Sequence, residues 1–218
     1  MKIEWFGHAC FGITTREGLK IITDPYESGL HGLINYGAID ERADIVTVSH
    51  EHGDHNHVPA LIGNPAIVRG TGTTLVKGME FRGIEAYHDQ EGGAKSGPNT
   101  VFTFAVDGIR LAHLGDLGHA LSPEQLGELK DTEVLFAPTG GPPASLELEE
   151  MVELWEKLRP KIVIPMHFKT DKCSFPKSSI DDLINLRPGA KKIGDSFIIV
   201  SKNELLEPIE IIVLDPSR

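Results

Sequence analysis

The chain has 218 residues, of which 40% are hydrophobic and 24% are charged, a balance typical of a globular protein with room for a packed core. Its net charge of −11 argues against duplex DNA or an anionic membrane surface as the main partner, because both need a basic face. Cys10 and Cys173 lie far apart and imply no disulfide framework, and neither a signal segment nor a run of membrane-spanning length is evident. We therefore expect a cytoplasmic protein.

Short β-branched and aromatic runs dominate the first half of the chain and are separated by Gly and Asp, as strand ends require. They predict strands at residues 3–6, 11–15, 20–23, 44–49, 66–69, 81–87, 101–106 and 109–113. Asp107 and Gly108, between the last two strands, suit a tight hairpin turn that needs positive φ.

Helices are predicted later in the chain. Ser122 resembles an N-cap, with Pro123 at the first helical position and Gln125 reaching back to the cap. A second helix has apolar residues at helical spacing from 148 to 158, with Ser145 as its predicted cap and Pro160 at its end. A third helix is predicted at 179–186, and further strands at 134–137, 161–165, 196–201 and 210–214. Strands in both halves with helices between them predict one α/β sandwich domain over residues 1–218, with its sheets inside and its helices outside.

The densest functional signal is the run from His50 to His55, which contains three imidazoles and two carboxylates directly after an apolar strand. Imidazole and carboxylate groups are ligands of Zn²⁺, Mn²⁺ and Fe. In an extended segment residues two apart point the same way, so His50 and His52 can reach one ion. Gly53 permits a turn, after which Asp54 and His55 can reach a second ion. Two ions roughly 3.5–4 Å apart form a known hydrolytic arrangement.

Further ligands must come from later in the chain. His88, Asp116 and His167 each follow a predicted strand, where functional residues often lie. A single histidine after a strand is usually capped or solvated. These three residues are therefore candidate metal ligands only in combination with the run at 50–55.

With Asp24 upstream, this set of residues resembles the metallo-β-lactamase superfamily over nearly the whole chain. The resemblance implies a four-layer αβ/βα sandwich with a dinuclear metal site at the edge between the two sheets. It implies that Asp24 holds a ligand imidazole in orientation without binding metal itself. The implied ligands are His50, His52 and His88 for the first ion, Asp54, His55 and His167 for the second, and Asp116 as a bridge.

Residues 5–9, 113–119 and 165–168 resemble the L-ascorbate-6-phosphate lactonase-like branch of this superfamily, and His8 matches a branch position near the site. Asp116 stands where many β-lactamases of this fold carry Cys, which argues against a β-lactam substrate. His52 stands where flavodiiron oxidoreductases typically carry Glu, which argues against a redox function.

We therefore expect a metal-dependent hydrolase with two divalent ions, zinc ahead of manganese or iron, that generate a hydroxide at neutral pH. The expected substrate is a lactone, an ester or a phosphoester, such as a phosphorylated sugar lactone. Asp54 would aim the attacking water. His119 is a candidate proton donor or substrate contact, with a solvated histidine as the alternative.

Four residues are candidates for binding a small, anionic substrate. Gly140 and Gly141 follow a strand and are predicted to form an active-site loop, although a plain strand-to-helix turn explains them equally. Lys169 and Lys172 follow His167 and can meet an anionic group, although surface lysines are usually only solvated.

Two other functions stay open. A phosphodiesterase or nuclease of the same fold is one, although the acidic chain and the lack of a basic, aromatic-rich insertion count against nucleic acid. A metal-binding or sensing protein without turnover is the other. The sequence leaves the oligomeric state open, a homo-oligomer included.

Overall fold

The structure is a computed structural model and describes residues 1–205 and 209–218. Its strands are β1 (Lys2–Gly7), β2 (Cys10–Thr14), β3 (Lys20–Thr23), β4 (Ile45–Val48), β5 (Ala66–Arg69), β6 (Gly72–Val76), β7 (Met79–Tyr87), β8 (Pro98–Val106), β9 (Ile109–His113), β10 (Val134–Pro138), β11 (Ile162–Met166), β12 (Lys191–Lys192), β13 (Phe197–Ile199) and β14 (Glu210–Val213). Its α-helices are α1 (Pro123–Leu129), α2 (Leu148–Leu158) and α3 (Ile180–Leu186). None of the described helices is long and apolar enough to cross a bilayer.

The strands form two sheets, one with the order β13-β1-β2-β3-β4-β5 and one with the order β12-β14-β11-β10-β9-β8-β7-β6. Strands β3, β4 and β5 run parallel to one another, as do β9, β10, β11 and β14. Because parallel strands end at the same edge of a sheet, the segments after β3, β4, β9 and β11 gather at one edge, where α/β proteins bind ligands. Strand β13 pairs with β1, so both ends of the chain contribute to the first sheet.

Alternation along the strands builds the core. Ile21 and Ile45 point between the sheets, whereas their neighbours Ile22 and Val46 point to the outer face of the first sheet. Phe11 and Phe136, from opposite sheets, meet between them with ring centroids 4.5 Å apart. The two sheets are therefore packed face to face across a buried apolar layer.

The outer layers differ between the two sheets. Residues of all three helices, Trp155 among them, cluster with Leu135 and Val163 on the second sheet. The first sheet is covered instead by residues 25–44, with Tyr26 and Tyr36 fully buried against it. This is the predicted α/β sandwich, with an irregular segment as its fourth layer.

Most local predictions agree with the structure, and the clearest differences concern one helix cap and two strands. Ser122 and Gln125 form the predicted capping box of α1. Helix α2 is capped by Glu147 rather than by Ser145, because Glu147 and Glu150 satisfy each other's backbone amides. Strand β6 was missed because its Gly-Thr-Thr start has no apolar alternation, and the strand predicted at 196–201 is confined to β13.

Candidate metal centre

Five strands of the two sheets end at the candidate site. The segments that follow them are Asp24 after β3, residues 49–55 after β4, His88 after β7, Asp116 after β9 and His167 after β11. Asp24 and His167 have φ values of 39° and 50°, in the left-handed region that non-glycine residues rarely adopt. Such residues cluster at functional sites, where surrounding contacts hold them in place.

The first group of potential ligands consists of His50, His52 and His88, whose ligand atoms all lie within 4.8 Å of one another. His50 Nε2 lies 3.1 Å from His52 Nδ1. Two nitrogens that each lie about 2.0–2.1 Å from a tetrahedral Zn²⁺ are separated by little more than this distance. His50 and His88 are buried and His52 is exposed, so this group opens toward solvent.

The second group consists of Asp54, His55, His167 and, in addition, His8. His8 Nε2 donates to Asp54 Oδ2 at 3.1 Å, and the rings of His8 and His167 lie 3.9 Å apart between centroids. His8 therefore lies within the same group as the three potential ligands that the resemblance implied, Asp54, His55 and His167.

Asp116 lies between the two groups. Its Oδ2 is 3.0 Å from His88 Nε2, and 3.3 Å from both His55 Nε2 and His167 Nε2. Asn99 holds the turn before it: Asn99 Nδ2 donates to Leu114 O, and Asp116 N donates to Asn99 Oδ1. Sequence reasoning missed Asn99, because an amide side chain at the start of a strand carries no signal of its own.

Asp24 lies behind the ligands and organises the loop after β4. It accepts hydrogen bonds from Ser49 N at 2.8 Å, Ser49 Oγ at 2.5 Å and His55 Nδ1 at 2.9 Å. His113, fully buried, donates from Nε2 to Ala9 O and accepts from Gly115 N on Nδ1. His113 therefore fixes the turn into Asp116 as a neutral imidazole.

Several buried polar atoms at the site have no hydrogen-bond partner among the residues that the structure describes. They are His55 Nε2, His88 Nδ1, Asp116 Oδ1 and both ring nitrogens of His167. Buried polar atoms are normally satisfied, and leaving one unpaired costs about 1–3 kcal/mol. A divalent cation would take up the lone pairs of His55, Asp116 and His167, so the residues present fit a metal.

The electrostatics of the site favour the protonation states that metal ligands need at His50 and Asp116, whereas they favour a protonated His55, whose proton a bound cation would displace. Burial, with the neighbouring His55, lowers the pKa of His50 to about 3, which keeps this imidazole neutral. Burial opposes ionisation of Asp116, but the imidazoles of His167 and His55 outweigh it and hold the Asp116 pKa well below its usual range. Burial likewise opposes protonation of His55, yet the carboxylates of Asp116 and Asp54 raise its pKa.

The remaining predicted residues have other surroundings. Gly140 packs against the backbone of His167, since a Cβ there would lie 2.1 Å from His167 O. Lys172 donates to Arg218 O at 2.6 Å, and Lys169 is exposed. His119 donates to Ala120 O and packs against Tyr87, outside both groups of ligands.

A groove of about 410 Å³ lies beside the first group. His50 and His52 line it together with residues 69–71, 85–86 and 96–100. Two of the three side chains of the first group therefore face this groove.

Comparison with known proteins shows which family this chain belongs to. The family profile described as the Beta-lactamase superfamily domain matches residues 2–167. A UPF0173 protein from Pyrococcus abyssi is 32% identical over 188 residues, covering 78% of this chain and 84% of the relative. A UPF0173 metal-dependent hydrolase from Thermoplasma volcanium is 28% identical over 234 residues, covering 97% of this chain and 99% of the relative.

Among solved structures, a proposed Zn-dependent hydrolase of the metallo-β-lactamase superfamily from Thermotoga maritima is similar. It has a TM-score of 0.78 and 31% identity, and the match covers 98% of this chain and 99% of that one. The lactonase-like branch stays a prediction. The chain belongs to the metallo-β-lactamase superfamily of metal-dependent hydrolases.

Proposed function

We propose that this metal-dependent hydrolase holds two divalent cations, zinc ahead of manganese or iron, and hydrolyses an uncharged carboxylic ester or lactone. The observation that carries the proposal is the position of Asp116 Oδ2, within 3.3 Å of His88 Nε2 on one side and of His55 Nε2 and His167 Nε2 on the other. A carboxylate shared by two groups of imidazoles is suited to bridge two ions.

Bound divalent cations supply the activation of water near neutral pH and a Lewis acid for the scissile oxygen. The residues divide the other tasks. Asp54 is the carboxylate that a water molecule can reach, because its side chain is 17% exposed and that of Asp116 only 2%. Asp54 would accept a hydrogen bond from the attacking water, while His8 holds one of its oxygens in place.

The charge of the groove supports an uncharged substrate. Glu51 and Glu85 line it, and its cation, Arg69, is paired with Glu51 at 2.8 Å. Lys172 is bound to Arg218 O, so it is already engaged elsewhere. The lining side chains of the groove thus offer a phosphodiester no unpaired cation, so its charge would have to be met by the bound ions alone, whereas a lactone or ester needs no such partner.

The test combines metal analysis with a substrate panel. We expect about two zinc ions per chain by elemental analysis, and hydrolysis of simple lactones or p-nitrophenyl esters that stops with chelator and returns with Zn²⁺ or Mn²⁺. His88→Ala should lose both one ion and the activity. His31→Asn, at an exposed position where asparagine tolerates the left-handed backbone, is the control that should keep both.

The panel also separates the alternatives. Cleavage of bis-p-nitrophenyl phosphate in preference to the esters would favour a phosphodiesterase. Two bound ions without turnover on any substrate class would favour a sensing protein. Ester hydrolysis that survives complete metal removal would refute the proposal.

A further inference from the structure

Ser49 occupies a buried position between the two histidine groups, directly after β4 and directly before His50. Its Oγ lies 2.5 Å from Asp24 Oδ2 and 2.9 Å from His50 Nδ1, and the residue is only 3% exposed. We propose that Ser49 is a positioning residue that passes the orienting effect of Asp24 on to His50, and so prepares the first metal position. This inference rests on the proposed pair of metal positions.

The direction of each hydrogen bond follows from the groups involved. An ionised carboxylate can only accept, so the Ser49 hydroxyl donates its single proton to Asp24. Ser49 Oγ can then only accept from His50 Nδ1, which therefore carries the imidazole proton. The bare nitrogen of His50 is Nε2, which lies 3.1 Å from His52 Nδ1 within the first group.

The same carboxylate oxygen serves the second group directly. His55 Nδ1 donates to Asp24 Oδ2 at 2.9 Å, so the nitrogen that His55 can give up to a cation is Nε2, which faces Asp116. Asp24 thus orients one ligand of each metal position. It orients His55 by direct contact and His50 through the hydroxyl of Ser49. Orienting groups of this kind typically change metal affinity 10–100-fold.

The packing around Ser49 explains why a small hydroxyl residue fits there. A Cβ added at Gly115 would lie 2.7 Å from Ser49 Cβ and 2.9 Å from its Oγ. The glycine lets the turn before Asp116 close over Ser49, which holds the hydroxyl between its two partners.

The test measures Zn²⁺ binding to metal-free protein by competition with a chromophoric chelator. Ser49→Ala is compared in two backgrounds, His167→Ala, which retains the first position, and His88→Ala, which retains the second. We expect Ser49→Ala to weaken binding 10–100-fold in the first background and to leave it unchanged in the second. Thr47→Val is the matched control, because Thr47 is buried on β4, two residues before Ser49, and its hydroxyl has no hydrogen-bond partner within residues 1–205 and 209–218.

Imidazole ¹⁵N NMR of the metal-free protein gives a second reading. His50 should carry its proton on Nδ1 in the wild type and shift toward the Nε2-protonated form in Ser49→Ala. If the alanine variant does not fold, Ser49→Cys replaces it, since a thiol keeps the shape and is only a weak donor.

The outcomes are distinct. Wild-type protein that binds fewer than two ions contradicts the proposed function. Wild-type protein that binds two ions, with Ser49→Ala unchanged in both backgrounds or equally weakened in both, overturns the role of Ser49 alone.

Discussion

Replacing Asp24 by asparagine tests whether one carboxylate sets the proton positions in both groups of histidines. Oδ1 of Asp24 accepts from Ser49 N, and Oδ2 accepts from Ser49 Oγ and His55 Nδ1. The oxygen of an amide can keep the first bond, but its NH₂ group donates where Oδ2 accepted. His55 must then move its proton to Nε2, where it faces Asp116 at 3.3 Å and cannot bind a cation.

The magnitude follows from these contacts. Two hydrogen bonds to the charged oxygen are lost, each worth roughly 1.5–3 kcal/mol. Removal of a buried charge offsets part of this loss, so we expect the free energy of unfolding of the metal-free protein to fall by about 3 kcal/mol. Zinc affinity should fall about 10–100-fold at both positions, and more at the second, because His55 bonds to Asp24 directly.

The assay is urea unfolding of the metal-free protein, followed by chelator-competition titration with Zn²⁺. Asp44→Asn is the control and should leave zinc binding unchanged. Asp44 also accepts a hydrogen bond from a backbone amide, that of Lys20, but it lies at the opposite end of β4. A folded Asp24→Asn variant with wild-type zinc affinity at both positions would refute the assignment of Asp24.

Two further predictions concern the loops around the centre. Asp89 accepts backbone hydrogen bonds from four amides of residues 91–96. These bonds, led by the one from Ser96 N, outweigh the opposing effect of desolvation and lower the pKa of Asp89 from 3.8 to about 2. The contribution of ionised Asp89 to stability is therefore present above about pH 4 and lost as the pH falls toward 2. The difference in urea midpoint between wild type and Asp89→Asn should shrink over that range. A difference that stays constant would contradict the role of these hydrogen bonds. Gly140→Ala places a Cβ 2.1 Å from His167 O and should cost about 1–3 kcal/mol in urea unfolding and weaken zinc binding at the second position. Gly127→Ala is the control, because a Cβ added at this position in α1 meets no atom of the described residues within 4 Å. It should stabilise the protein by up to about 1 kcal/mol. Equal effects of the two substitutions would refute the role of Gly140.

Local rules explain what could be predicted from the sequence. The period of two along β3 and β4 places Ile21 and Ile45 on the inner face, and the helix cap at Ser122 depends on residues three apart. Asp107 and Gly108 both adopt the positive φ that their hairpin turn needs, at 52° and 80°. The run from His50 to His55 could be singled out as a potential metal site because its candidate ligands are neighbours in the chain.

The tertiary structure decided which distant residues support those ligands. Asp24 meets Ser49 across 25 residues, and His8 meets Asp54 across 46, so no local spacing relates the partners. Closeness in the chain does not bring a residue into the centre either. His119 follows Asp116 by three residues, but it packs against Tyr87 and belongs to neither group.

The sequence by itself therefore determined most of the strands, the α/β class and the potential ligands, because hydrophobic periodicity and ligand chemistry act over a few residues. The tertiary structure alone decided how close Asp116 comes to both groups and that Ser49 joins His50 to Asp24. These contacts exist only once the sheet edges have come together, since their distances of about 3 Å depend on the register and packing of five separate strands.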